Sequence, residues 1–214
     1  MFVALQSVQR RPALCLLGTG VLALVGVLPV CPSQDSEWVH LVVLHTNDVH
    51  GQVLPRPATW LDDPDPPRAG GLVRLAAAIR RERREAQEAG AEVLLLDGGD
   101  WTQGTPEGRL EHGRQAAAVM LRMGYDAMAI GNHEFDYGEA ILSWQKNRVP
   151  FPVLGANLDY KGTNHPFAQR HAIIERSGIR IGVIGILGQD AASSAVAPIH
   201  IDELDVADPK ERVQ

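Results

Sequence analysis

Short, nearly unbroken runs of β-branched residues and leucine, each leading into a polar loop that contains glycine, constrain this chain more than any other feature. Val39 to Leu44 is the first run, followed by Val93 to Leu96, Ala127 to Ile130, Pro152 to Leu154 and Ile179 to Leu187. A strand with one wet face would alternate apolar and polar residues, so these runs read as strands buried on both faces of a mainly parallel sheet. Helical periodicity fills the intervals. Leu72, Leu75, Ala76, Ile79 and Ala86 fall on one side of a segment that carries Arg80, Arg81, Arg83, Arg84 and Glu88 mostly on the other and stops at Gly90. Gln115 to Met123, ended by Gly124, and Tyr137 to Asn147 read as further helices, and 171–181 as a hairpin turning at Ser177-Gly178. Alternation of strand and helix predicts a layered α/β fold. The stretch 55–67, with five prolines, reads as a surface loop.

The amino terminus has a different character. No charged residue lies between Arg11 and Asp35, and 13–30 is an apolar run behind the pair Arg10-Arg11, so 1–36 reads as a secretory signal, with an uncleaved membrane anchor through 13–30 as the alternative. Resemblances to a lipoprotein site at Cys31 and to a twin-Arg signal are minor options. The expected arrangement is therefore a leader over 1–36 and one domain over 37–214, exported to a periplasmic, secreted or cell-surface location. The formal charge of −6 becomes more negative once the leader's two arginines are set aside, which excludes a basic face for a nucleic-acid polymer. The two cysteines, Cys15 and Cys31, both lie in the leader, so a metal bound downstream must use nitrogen and oxygen donors.

Ligands of open α/β sheets bind where loops leave the carboxyl ends of strands. The first run ends in His45-Thr46-Asn47-Asp48-Val49-His50-Gly51, the second in Asp97-Gly98-Gly99-Asp100 and the third in Gly131-Asn132-His133-Glu134-Phe135-Asp136. Asp48 and His50, two apart, share a side of an extended segment and can grip one ion. Gly98 and Gly99 remove bulk, so that Asp100 can approach a cation closely and even bridge two. Adjacent Asn132 and His133 point different ways, which suits one ligand and one acid, and Asp136 three residues on can orient the His133 ring. Each loop has an ordinary reading as well: a turn, a chain reversal, or a helix cap supplied by Asn132 or Asp136. Three such loops behind three parallel strands must converge, and that convergence favours a site. No metal-ligand spacing in the sequence accompanies His40, His112, His165, His171 or His200, which read as structural or solvated, and His45 reads as packing behind the first loop.

The segments HTNDVHG, LLLDGGD and YDAMAIGNHEFDYG resemble the 5′-nucleotidase and UDP-sugar hydrolase family of calcineurin-like metallophosphoesterases, over roughly residues 39–214. The resemblance implies a layered sandwich, with Asp48 and His50 on a first divalent metal, Asp100 bridging two, Asn132 on the second, and His133 held by Asp136 as the catalytic pair. It implies in-line attack of a metal-activated water on a nucleotide or nucleotide-sugar phosphate, with two ions of Zn, Mn, Fe or Co. Members of the family continue through further histidine-bearing segments and a nucleoside-binding domain, so by this resemblance the chain is expected to be an amino-terminal part of the catalytic domain. The alternatives are a relative acting on 2′,3′-cyclic nucleotides or sulfur-linked substrates, and a catalytically dead metal-binding remnant.

Overall fold

The computed structural model describes residues 38–212 in full and the backbone of 2–9, and the rest of the expected leader lies outside the described residues. In chain order the strands are β1 (Phe2–Gln9), β2 (Trp38–Thr46), β3 (Arg56–Pro57), β4 (Arg68–Ala69), β5 (Glu92–Asp97), β6 (Ala127–Ala129), β7 (Val153–Leu154), β8 (Leu158–Tyr160), β9 (His171–Arg176), β10 (Ile179–Ile184) and β11 (Leu204–Val206). The α-helices are α1 (Leu72–Glu88), α2 (Pro106–Arg109), α3 (Arg114–Met120), α4 (Glu139–Lys146), α5 (Gln189–Ala195) and α6 (Pro209–Arg212).

The main sheet has the order β1-β2-β5-β6-β7, in which β2, β5, β6 and β7 run parallel and β1 pairs antiparallel along β2. Side chains on successive residues leave opposite faces of a strand, and the packing follows that rule. Val42, Leu44, Val93, Leu95, Met128 and Val153 enter the large core with Leu72, Ile79 and Ala86 of α1 and Met120 of α3. Leu96, Ala127 and Leu154 face the other way, against Ala172, Ile174 and Val183 of the β9–β10 hairpin. This is a layered α/β fold with a mainly parallel, buried sheet.

Three elements depart from the sequence reading, the first being β1, a strand within the expected leader that pairs antiparallel along β2. The run beginning at Ile179 does not join the main sheet. It ends at Ile184 and pairs antiparallel with β9, with Ile179, Ile181 and Val183 half-buried and Arg180, Gly182 and Ile184 exposed. One face of the hairpin covers the sheet, so apolar residues on the other face remain wet. The helix read from Tyr137 begins instead at Glu139, because Gly138, at φ 82°, breaks the chain just before it. The hairpin turn does fall at Ser177 (φ 45°) and Gly178 (φ 77°), the two positive values of a type I′ turn.

Register positions the functional end of the sheet. Thr46 on β2 lies beside Asp97 on β5, and Asp97 beside Met128 on β6, so the three parallel strands finish level. Their loops therefore leave from one edge.

Candidate metal centre

The first two loops are zipped by their backbones. The N–H groups of Asp48, His50 and Gly51 donate to the carbonyls of Gly99 (3.1 Å), Asp100 (2.8 Å) and Trp101 (2.8 Å). This pairing follows the parallel strands outward, but with unusual dihedrals: Asp48 (φ 52°), His50 (φ 48°) and Asp100 (φ 58°) are all left-handed, although none is glycine. Each such residue costs on the order of 1 kcal/mol or more and persists where its surroundings over-determine it, a common property of functional sites. Asp48 and His50 come together through this curl rather than through an extended segment, with His50 Nε2 at 3.4 Å from Asp48 Oδ1. Asn47 donates to the other Asp48 oxygen.

Packing explains the glycines. A Cβ on Gly51 would lie 2.3 Å from the Gly108 Cα, and Thr105, which caps α2 at the Gly108 N–H, also donates to the Gly51 carbonyl. A Cβ on Gly99 (φ 97°) would lie 2.5 Å from the Gly131 nitrogen, so the second and third loops touch backbone to backbone. Gly131 in turn leaves room for the Asp100 carboxylate, whose Oδ1 would be 2.4 Å from an added Cβ.

The third loop completes the site. Asp100 Oδ1 accepts the His133 backbone N–H (2.8 Å), and His133 Nδ1 lies 2.9 Å from Asp136 Oδ2. The His133 ring stands edge-on to that of His50, with centroids 4.9 Å apart. One donor atom from each of His50, Asp100 and His133 lies within 4.8 Å of the others, all three half-buried. Asn132 is half-buried at the head of the turn His133–Phe135, and its side chain makes no capping bond. The structure thus gathers His50, Asp100 and His133, sets Asp48 beside His50 and Asp136 behind His133, and leaves the Asn132 carboxamide uncommitted to the cap that the sequence also allowed. Two imidazoles and a carboxylate at this spacing suit a borderline divalent cation, without any thiolate.

Two carboxylates to which the sequence reading gave no role underlie the site. Glu134 is buried, and its oxygens accept three backbone N–H groups: Asp100 (2.8 Å) and Gly131 (2.8 Å) on Oε2 and Trp101 (3.1 Å) on Oε1. Burial pushes its carboxyl up to about 8, against the pull of those donors. Asp97, also buried, accepts from the Thr46 hydroxyl and the Gly99 N–H (2.9 Å), and Thr46 lies 2.9 Å from the Tyr125 hydroxyl. Burial raises Asp97 to about 6. No local signal in the sequence singles out Glu134, because an acid in a polar loop reads as solvated and its burial depends on contacts with the second loop. His45 packs under the second loop, where its Nε2 would be 3.2 Å from a Cβ on Gly98.

A family model described as calcineurin-like phosphoesterase matches residues 41–184. The chain is 36% identical over 200 residues to a 5′-nucleotidase of Vibrio vulnificus, covering 90% of this chain and 34% of that protein. It is 36% identical over 188 residues to protein UshA of Escherichia coli, covering 88% and 32%. Among solved structures, a 5′-nucleotidase precursor from Thermus thermophilus superposes with a TM-score of 0.66 at 31% identity, over 80% of this chain and 32% of that one. The chain therefore spans about a third of the length of the curated relatives it matches.

Proposed function

The chain belongs to the calcineurin-like phosphoesterase family, and from that premise we propose that it is a metal-dependent phosphoester hydrolase acting on nucleotides or nucleotide sugars. The observation that carries the reading is the convergence of His50, Asp100 and His133 at the end of the parallel sheet, with His133 backed by Asp136. The relatives' names, 5′-nucleotidase among them, supply the substrate class.

In this proposal Asp48, His50, Asp100 and Asn132 would hold two divalent ions, with Asp100 serving both, and His133, the third member of the cluster, would face them as a proton donor and not as a ligand. Bound there, such ions supply positive charge to phosphoryl oxygens and acidify a coordinated water. The chain's own residues do the rest. The Asp136 carboxylate, 2.9 Å from His133 Nδ1, would hold the proton on that nitrogen and orient the ring, so that Nε2 can give a proton or a hydrogen bond to a phosphoryl or leaving-group oxygen. The backbone zipper between the first two loops fixes His50 against Asp100 before any ligand arrives, which lowers the ordering cost of binding.

Residues 37–214 are proposed as the amino-terminal part of the metallophosphoesterase domain and 1–36 as the leader that exports it. Phosphate release from AMP by the chelator-treated protein, before and after addition of Mn, Co or Zn ions and beside His133→Ala, tests the activity. The proposal expects release that depends on added metal and is lost in His133→Ala. Metal-independent release, or full activity in the variant, would overturn it.

A further inference from the structure

We propose that Glu134 is a positioning residue, whose buried carboxylate fixes the Asp100 loop against the third loop and so sets the metal affinity of a centre it does not touch. The inference rests on the metal site proposed above and adds to it the device that shapes it.

The geometry has three parts. Asp100 occupies a left-handed conformation at φ 58°, which an aspartate with a free backbone would leave. Two backbone bonds hold it: its carbonyl accepts from His50, and its N–H donates to Glu134 Oε2. The same oxygen takes the Gly131 N–H, so a single atom ties the residue bearing one donor to the start of the loop bearing His133. Oε1 takes the next N–H along, that of Trp101.

The chemistry explains why a carboxylate is needed. Three inward-pointing N–H groups on two loops require acceptors on both terminal atoms of the side chain. Glutamate offers acceptors on both, whereas glutamine offers one oxygen and an amide that donates. No arginine, lysine or histidine forms an ion pair with Glu134 among the described residues, so its carboxyl is held by the backbone N–H groups of the two loops, which an apolar side chain would leave without acceptors. A side chain one residue from His133 that bonds the backbones of Asp100 and Gly131 acts on the site's geometry. Hydrogen-bonded partners behind ligands typically change metal affinity by about 10–100-fold when removed.

The test uses the full chain as wild type, Glu134→Gln and Glu134→Asp, with Ile79→Val on α1 as a control for general loss of stability. Affinity for Mn and Zn ions is measured by competition with a chromophoric chelator. Amide exchange of Asp100, Trp101 and Gly131 is followed in the metal-free protein. Glu134→Gln is expected to bind metal about 10–100-fold more weakly and to exchange those three amides faster, while its circular dichroism stays native. Ile79→Val is expected to bind as wild type does. Glu134→Asp, which keeps two acceptor oxygens on a shorter arm, is expected to fall between, and it takes over as the deciding variant if the glutamine protein does not fold. Affinity within twofold of wild type in the folded variant overturns the inference while leaving the metal site standing. Absence of metal binding by the wild type overturns the site and the inference with it.

Discussion

Asp136 makes one side-chain contact that matters for chemistry, the 2.9 Å bond to His133 Nδ1. Asp136→Asn replaces an anion with an amide that can present its N–H₂ to the same nitrogen, which reverses the tautomer and turns the catalytic edge of the ring from donor to acceptor. Turnover is expected to drop by about 10²–10⁴-fold with KM little changed, as steady-state phosphate release would show. An unchanged kcat would remove His133 from the proton-handling role. Gly99 gives a second prediction at this scale. Its φ of 97° and the Gly131 nitrogen 2.5 Å from where a Cβ would sit both exclude a side chain, so Gly99→Ala is expected to lower unfolding free energy by about 1–3 kcal/mol in urea titration. The glycine itself was legible in the sequence as a residue of the second loop, but its reason was not. The sequence suggested room for Asp100, whereas the clash that forbids a Cβ is with the backbone of a loop more than thirty residues away.

The parallel strands were readable because burial on both faces leaves no polar residue to confuse the pattern, and β2, β5 and β6 fall close to where the apolar runs placed them. The β9–β10 hairpin was readable only as a turn. Its position over one face of the sheet depends on a distant contact, Arg176 bonding Asp126 and donating from Nε to the Val93 carbonyl (3.1 Å), that no local pattern encodes. Arg176→Ala is expected to cost about 1.5–3 kcal/mol, the usual range for hydrogen bonds to charged groups, read from the midpoint of denaturant unfolding. The strand ends carry a pH signature. Asp97, raised from 3.8 to about 6, keeps its proton in the folded state where the unfolded chain has lost it, so its contribution to stability falls as pH rises from about 4 to 6 and is flat above. The shift corresponds to at most about 3 kcal/mol. Stability measured from pH 4 to 7 is expected to fall more steeply for wild type than for Asp97→Asn across that window. Identical slopes would show that the Thr46 hydroxyl and the Gly99 N–H hold Asp97 ionised at its ordinary value.

Across the whole molecule, the sheet brings together residues from three loops separated by some fifty and thirty positions, and the gathering of His50, Asp100 and His133 is a consequence of strands that end level. That convergence was legible in the sequence. The left-handed curl that carries Asp48 and His50, and the buried glutamate under the site, were not, because both depend on contacts between loops rather than within them. The most direct test of the account is calorimetric titration of Mn and Zn ions into the chelator-treated chain, beside Asp100→Asn. The account predicts saturable binding to the wild type that is abolished in the variant, whose amide lacks the anionic oxygen that two ions would share. Binding of equal affinity in Asp100→Asn, or none in a folded wild type, would contradict the claim that these three loops form a metal centre.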